Sequence, residues 1–212
     1  MKVNNIKAVA FDLDGTLINT EKLIIASYHA VFNKFRPDYK LTKEEDISFI
    51  GPPLKVMFNK YFKEDFDTLL KTYRDFAEKH TTELSGVYPY VNEILTYLKN
   101  KGYIVCLVTS RFSSSALDML RIFSLEKYFD KIVCLDDVKE EKPSPEGINL
   151  ILNEYSLNHD EVIFIGDTKS DYMAGVNAGV YTGLVSWSKH EENKSLKPDL
   201  LIEDYSSLER IF

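Results

Sequence analysis

Phe11-Asp12-Leu13-Asp14-Gly15-Thr16 closes a short, mostly apolar run that begins at Ile6. Such a run, 6–11, ending in Asp and Gly, predicts a buried strand that opens into a loop. Positions i and i+2 of an extended chain point the same way. Asp12 and Asp14 are therefore expected to converge just past the strand's C-terminal end, where open α/β sheets bind their ligands. Gly15 permits a sharp exit, and the Thr16 hydroxyl can bond back into the loop. Asp and Gly are also ordinary turn residues. A fixed Asp-x-Asp-Gly-Thr, however, arises by chance only about 10⁻⁵ times per position at average residue usage.

Outward from this stretch, apolar runs at 104–108, 131–134, 162–165 and 182–185 read as strands, with a weaker one at 200–202. Helical stretches at 91–100, 114–123, 145–155 and 171–178 alternate with them. Strand–helix alternation with near-continuous apolar strands implies a Rossmann-like parallel sheet with helices on both faces, a three-layer α/β/α core. Residues 17–86 break that rhythm and contain no good strand. Apolar and aromatic residues recur at helical spacing over 22–35 and 65–84, and Gly51-Pro52-Pro53 punctuates the middle. The expected organisation is an α/β core of 1–16 and 87–212 with an inserted α-helical cap of 17–86.

The chain of 212 residues is 44% apolar, enough for a real core. No window is apolar enough to cross a bilayer, and residues 1–5 lack the pattern of a signal peptide, so a cytoplasmic protein is expected. Cys106 and Cys134 fall inside strand runs and read as packing residues. The net charge of −7 argues against nucleic acid as partner. Residues 17–86 carry 11 basic and 11 acidic side chains, so the whole excess of acid belongs to the core. An acidic body that handles an anion needs a bound cation to do so.

Three more strand ends carry chemistry. Gly166-Asp167-Thr168-Lys169-Ser170-Asp171 follows the run 162–165 and adds two carboxylates, although Asp171 also fits a helix N-cap. Leu107-Val108-Thr109-Ser110-Arg111 places a hydroxyl and loop N–H groups where they can hold a phosphate. Lys142, within Glu140-Glu141-Lys142-Pro143-Ser144-Pro145, has its backbone restricted by two prolines. Lone lysines are mostly solvated, and Lys142 gains meaning only from the other three signals. Four histidines are scattered without ligand spacing and receive no role.

This set, in this order, resembles the haloacid dehalogenase superfamily of phosphohydrolases over the whole chain. The segments around Gly15–Thr20, Phe49–Leu54 and Leu135–Lys139 look like its phosphoglycolate phosphatase and PpaX-type pyrophosphatase group. The resemblance implies a phosphoric monoester hydrolase with Mg²⁺ as cofactor. Asp12 would be the nucleophile and Asp14 the general acid/base. Asp12, the Asp14 carbonyl, Asp167 and Asp171 would hold the metal, and Thr109, the Ser110 amide and Lys142 the phosphoryl oxygens. Acidic neighbours are expected to raise the Asp14 pKa. The cap would close over the substrate, with Lys22, Lys55 and Arg74 as candidates for a second anionic group. Tyr88-Pro89-Tyr90 stands where the family pattern has Pro-Gly.

The leading expectation is 2-phosphoglycolate as substrate, with inorganic pyrophosphate the runner-up. A β-phosphoglucomutase-like phosphotransferase and a non-catalytic binding protein are the competing classes. The partner is expected to be a small phosphorylated molecule, with neither nucleic acid nor membrane, for a monomer or homodimer.

Overall fold

The computed structural model describes residues 5–212; the polar residues 1–4 lie outside the described residues. The strands are β1 Ala8–Phe11, β2 Ile18–Asn19, β3 Gly86–Val87, β4 Ile104–Val108, β5 Lys131–Val133, β6 Val162–Gly166, β7 Tyr181–Val185 and β8 Leu200–Ile202. Six of them form one sheet in the order β5-β4-β1-β6-β7-β8. Every neighbouring pair in it is parallel. β1 lies at its centre, with Phe11 opposite Leu107 of β4 and Ile165 of β6. β2 and β3 pair separately as a two-stranded ribbon.

The helices are α1 Glu21–Phe35, α2 Lys43–Ser48, α3 Leu54–Tyr61, α4 Phe66–Leu84, α5 Val91–Asn100, α6 Ser113–Ile122, α7 Glu146–Glu154 and α8 Lys169–Ala178. All four residues of β1 and all five of β6 are buried, as a sheet covered on both faces requires. On one face, Ala8, Ala10, Cys106, Val108 and Phe164 pack with Ile148, Ile151 and Leu152 of α7 and with Ala174 and Ala178 of α8. α5 packs against β4 and against the short 3₁₀ segment Tyr205–Arg210. Cys106 and Cys134 are buried and free, which agrees with packing roles.

The chain divides into two compact units, one running to Ile18 and resuming at Val87, the other Asn19–Gly86. The smaller unit is helical. Beyond the two helices its periodicity predicts, it contains α2 and α3, of six and eight residues. Thr42 caps α2 with Glu45 in a reciprocal pair, a Thr-x-x-Glu signal present in the sequence. Its core is aromatic: Tyr28, Phe32, Phe49, Phe58, Tyr61 and Phe62 are buried together, with the Tyr28 and Phe49 rings stacked 4.2 Å apart. Lys22 and Lys55 are exposed, and Arg74 is half-buried.

Tyr90, at the position where glycine was expected, has a left-handed backbone at φ 68°. That conformation suits glycine and is strained for tyrosine.

Candidate active site

Three adjacent strands end side by side and deliver the chemistry. Asp12 follows β1, Thr109 follows β4 and Asp167 follows β6. The ladder continues one residue past β1, where the Asp12 N–H donates to the Ile165 carbonyl at 2.8 Å. On the other flank the Thr109 N–H donates to the Val133 carbonyl at 3.0 Å. The strand order reverses about β1, which is the point where open α/β sheets form their ligand crevice.

The loop after Asp12 turns at once. Leu17 and Ile18 both donate to the Leu13 carbonyl, and Gly15 donates to that of Ile18. Gly15 has φ 77°, and a β-carbon there would lie 2.2 Å from an Asp167 carboxylate oxygen. Only glycine fits, for conformation and for space. The Thr16 hydroxyl reaches across to Asp167 at 3.4 Å rather than back into its own loop.

Asp12, Asp167 and Asp171 are 5%, 4% and 2% exposed. One ligand oxygen from each lies within 4.8 Å of the others. Lys142 enters from the loop after β5 and donates to Asp12 and to Asp171, each at 2.6 Å, and to the Val108 carbonyl at 3.2 Å. All three ammonium protons are thereby used. Lys142 also lines one small cavity with Thr109 and Ser110. The six residues Asp12, Asp167, Asp171, Lys142, Thr109 and Ser110 thus lie around the same three strand ends.

Asp171 is not the N-cap of α8. Thr168 caps that helix, and Asp171 stands three residues on, accepting from the Thr168 N–H at 3.0 Å and its hydroxyl at 2.5 Å. The cap thus fixes the carboxylate that Lys142 also holds.

Burial pushes the Asp12 carboxyl up to about 7; Lys142 opposes this, while Asp171 and Asp14 add to it. Asp167 is also raised, by burial first and then by Asp171 and Asp12. The Lys142 ammonium is raised as well, because Asp12 and Asp171 outweigh the penalty of its own burial. Buried carboxylates that resist ionisation together are short of positive charge. A cluster of hard oxygen donors in that condition suits a divalent cation such as Mg²⁺.

Asp14 has a basic partner that the sequence did not point to. Its carboxylate accepts from Arg111 Nε at 2.6 Å and from Nη2 at 2.7 Å, a bidentate pair. Arg111 Nη1 donates to the Ser115 hydroxyl at 2.9 Å. Asp14 is itself among the acidic neighbours that raise Asp12 and Asp167.

Several supporting residues carried no sequence signal of a role. Trp187 Nε1 donates to the Gly15 carbonyl, and the Tyr205 hydroxyl to that of Thr16, both at 2.9 Å. The Ser188 hydroxyl and the Asn193 amide donate to the Asp167 carbonyl at 2.6 and 2.7 Å. His190 Nε2 lies 3.9 Å from an Asp167 oxygen. Arg111 ends the segment Leu107–Arg111, two residues beyond Thr109, and that position was the available clue.

Residues 9–185 match the family model of haloacid dehalogenase-like hydrolases. The chain belongs to that family. Among its relatives, pyrophosphatase PpaX of Bacillus cereus (strain Q1) is 37% identical over 98% of this chain and 95% of its own. Pyrophosphatase PpaX of Bacillus velezensis is 38% identical over 98% and 97%. A haloacid dehalogenase-like family hydrolase from Streptococcus pneumoniae shares the fold with a TM-score of 0.83 at 24% identity, covering 96% of this chain and 97% of its own. The haloacid dehalogenase-like hydrolase described here is therefore a hydrolase with a six-stranded parallel core, as the resemblance implied. No helix among the described residues is long and apolar enough to cross a membrane.

Proposed function

We propose that this chain is a Mg²⁺-dependent pyrophosphatase that works through an aspartyl-phosphate on Asp12. The observation that carries the chemistry is the buried set Asp12, Asp167, Asp171 and Lys142 at adjacent strand ends. The Asp12 carboxylate attacks phosphorus as the bond from phosphorus to the leaving oxygen breaks. Asp14 gives its proton to that oxygen. It then takes one from the water whose oxygen attacks the phosphorylated Asp12, and the bond between phosphorus and Asp12 breaks. Thr109, the Ser110 amide and Lys142 hold the phosphoryl oxygens. Asp12, Asp167 and Asp171, with the Asp14 carbonyl, would hold Mg²⁺, which supplies the positive charge this cluster lacks.

The preference for pyrophosphate over phosphoglycolate, the reverse of the expectation from sequence, is supported by the PpaX relatives, which match end to end. A panel of pyrophosphate, phosphoglycolate, hexose phosphates and phenyl phosphate tests the reading by kcat/KM with Mg²⁺. Pyrophosphate is expected to rank first, and EDTA to abolish every activity. A higher value for phosphoglycolate would overturn the substrate and leave the chemistry. Activity that survives EDTA would overturn the metal.

A further inference from the structure

The bidentate grip of Arg111 on Asp14 has the form in which guanidinium groups bind phosphate and carboxylate ligands. We infer that Arg111 is the subsite for an anionic leaving group, such as the second phosphate of pyrophosphate, and that the Asp14 carboxylate fills this subsite until substrate arrives. The inference rests on the reading that Asp14 faces the leaving oxygen.

Three observations support it. First, whatever is bonded to the oxygen that Asp14 meets comes within reach of the same guanidinium, which lies 2.6 and 2.7 Å from that carboxylate. Second, the nearby lysine belongs to the transferring phosphoryl group and not to the leaving group. Lys142 is 8% exposed in its side chain and bridges Asp12 and Asp171, whereas Arg111 and Asp14 are 17% and 24% exposed. The Arg111 pair therefore stands nearer solvent than the buried lysine bridge. Third, Arg111 is held in direction. Its N–H donates to the Thr109 hydroxyl at 3.2 Å, its carbonyl accepts from Leu135 at 2.8 Å, and Ser115 accepts from Nη1. With Ser115 holding one end of the guanidinium, the fork of Nε and Nη2 stays aimed at one place.

Exchange of one anion for another conserves the charge around Arg111. The entering phosphate takes the fork, and the released Asp14 carboxylate takes up a proton from water and turns to the leaving oxygen, to which it then gives that proton. Substrate binding and placement of the acid/base thus become one event. A substrate whose leaving group carries no charge gains nothing from this exchange.

The test compares wild type, Arg111→Met and Arg111→Lys on pyrophosphate and on phenyl phosphate, whose leaving group has no anionic substituent. Arg111→Met should lower kcat/KM for pyrophosphate by about 100-fold or more, mostly through KM, and that for phenyl phosphate by at least about tenfold less. Arg111→Lys keeps the charge without the fork and should fall between. Binding gives an independent readout: imidodiphosphate should bind Arg111→Met at least about tenfold more weakly, with inorganic phosphate little changed. Equal losses on both substrates would overturn the inference, because they would mark Arg111 as merely structural. Unchanged pyrophosphate kinetics would overturn it as well. If Arg111→Met does not fold, Arg111→Lys and the imidodiphosphate titration carry the same comparison. A wild-type enzyme that hydrolyses phosphoglycolate and not pyrophosphate removes the proposed substrate alone. Phosphoglycolate, whose leaving group carries a carboxylate, then replaces pyrophosphate in the same test.

Discussion

The two units of this molecule bury different kinds of group. In the larger unit the buried polar set includes four carboxylates, Asp12, Glu161, Asp167 and Asp171. In the smaller unit the buried polar residues are Thr20, Ser27 and Thr81, with no charged side chain among those described. The smaller unit is held by aromatic rings and is neutral in sequence, while the larger carries the whole net charge of −7. Burying carboxylates costs stability unless a cation answers them. Three of them lie within 4.8 Å of one another, and they are the set that the proposed chemistry uses. The aromatic unit shows no such conflict, and so nothing inside it points to a reaction.

Substitutions can break this contrast, and the largest effect is expected at the nucleophile. Asp12→Asn should lower kcat by at least about 10³-fold while circular dichroism stays native. Its melting temperature at pH 7.5 should equal or exceed that of wild type, since one repelling carboxylate is gone. Lys142→Met should reduce kcat by a similar order. It should also destabilise the protein by about 3–5 kcal/mol in urea unfolding, because it leaves two buried aspartates without their shared cation. That loss should be smaller at pH 5 than at pH 7.5.

The pH dependence follows from the raised Asp12 and Asp167. Asp12 goes from an ordinary 3.8 to about 7 in the folded chain. Between those values the folded state binds more protons than the unfolded state. The contribution to stability is therefore full below 3.8 and is lost as pH rises through about 7. In EDTA the melting temperature should fall from pH 5 to pH 8, and Mg²⁺ should raise it more at pH 8 than at pH 5. A flat profile in EDTA would show that the cluster is not short of positive charge.

The smallest effect belongs to the aromatic unit. The Tyr28 hydroxyl is buried without a hydrogen-bond partner. Tyr28→Phe should therefore raise stability by about 1 kcal/mol without altering kcat. A loss of activity at constant stability would give this core a chemical part.

The same contrast explains what was legible in the sequence. Burial on both faces forces apolar runs, so β1, β4 and β6 could be found to within two residues, and Asp12, Thr109 and Asp167 after them were fixed in place by the strands. Gly15 was readable because a steep turn leaves no alternative. The residues that support the loops were not readable. Trp187 and Tyr205 meet Gly15 and Thr16 from 172 and 189 positions away, and no local pattern records such contacts. The partner of Asp14 was missed for the same reason, since Arg111 is 97 residues distant. In the helical unit, α2 and α3 are too short for their periodicity to stand out among aromatic residues. The strained Tyr90 shows the converse: the backbone has a conformation that its own side chain does not favour.

The central claim is that Asp12 becomes covalently phosphorylated. Rapid quench of the enzyme with Mg²⁺ and ³²P-labelled pyrophosphate tests it most directly. Label should appear on the protein within the first turnover, be released by hydroxylamine, map to the peptide that contains Asp12, and be absent from Asp12→Asn. Full-rate hydrolysis with no protein-bound label at any quench time, or label retained by Asp12→Asn, would contradict the account.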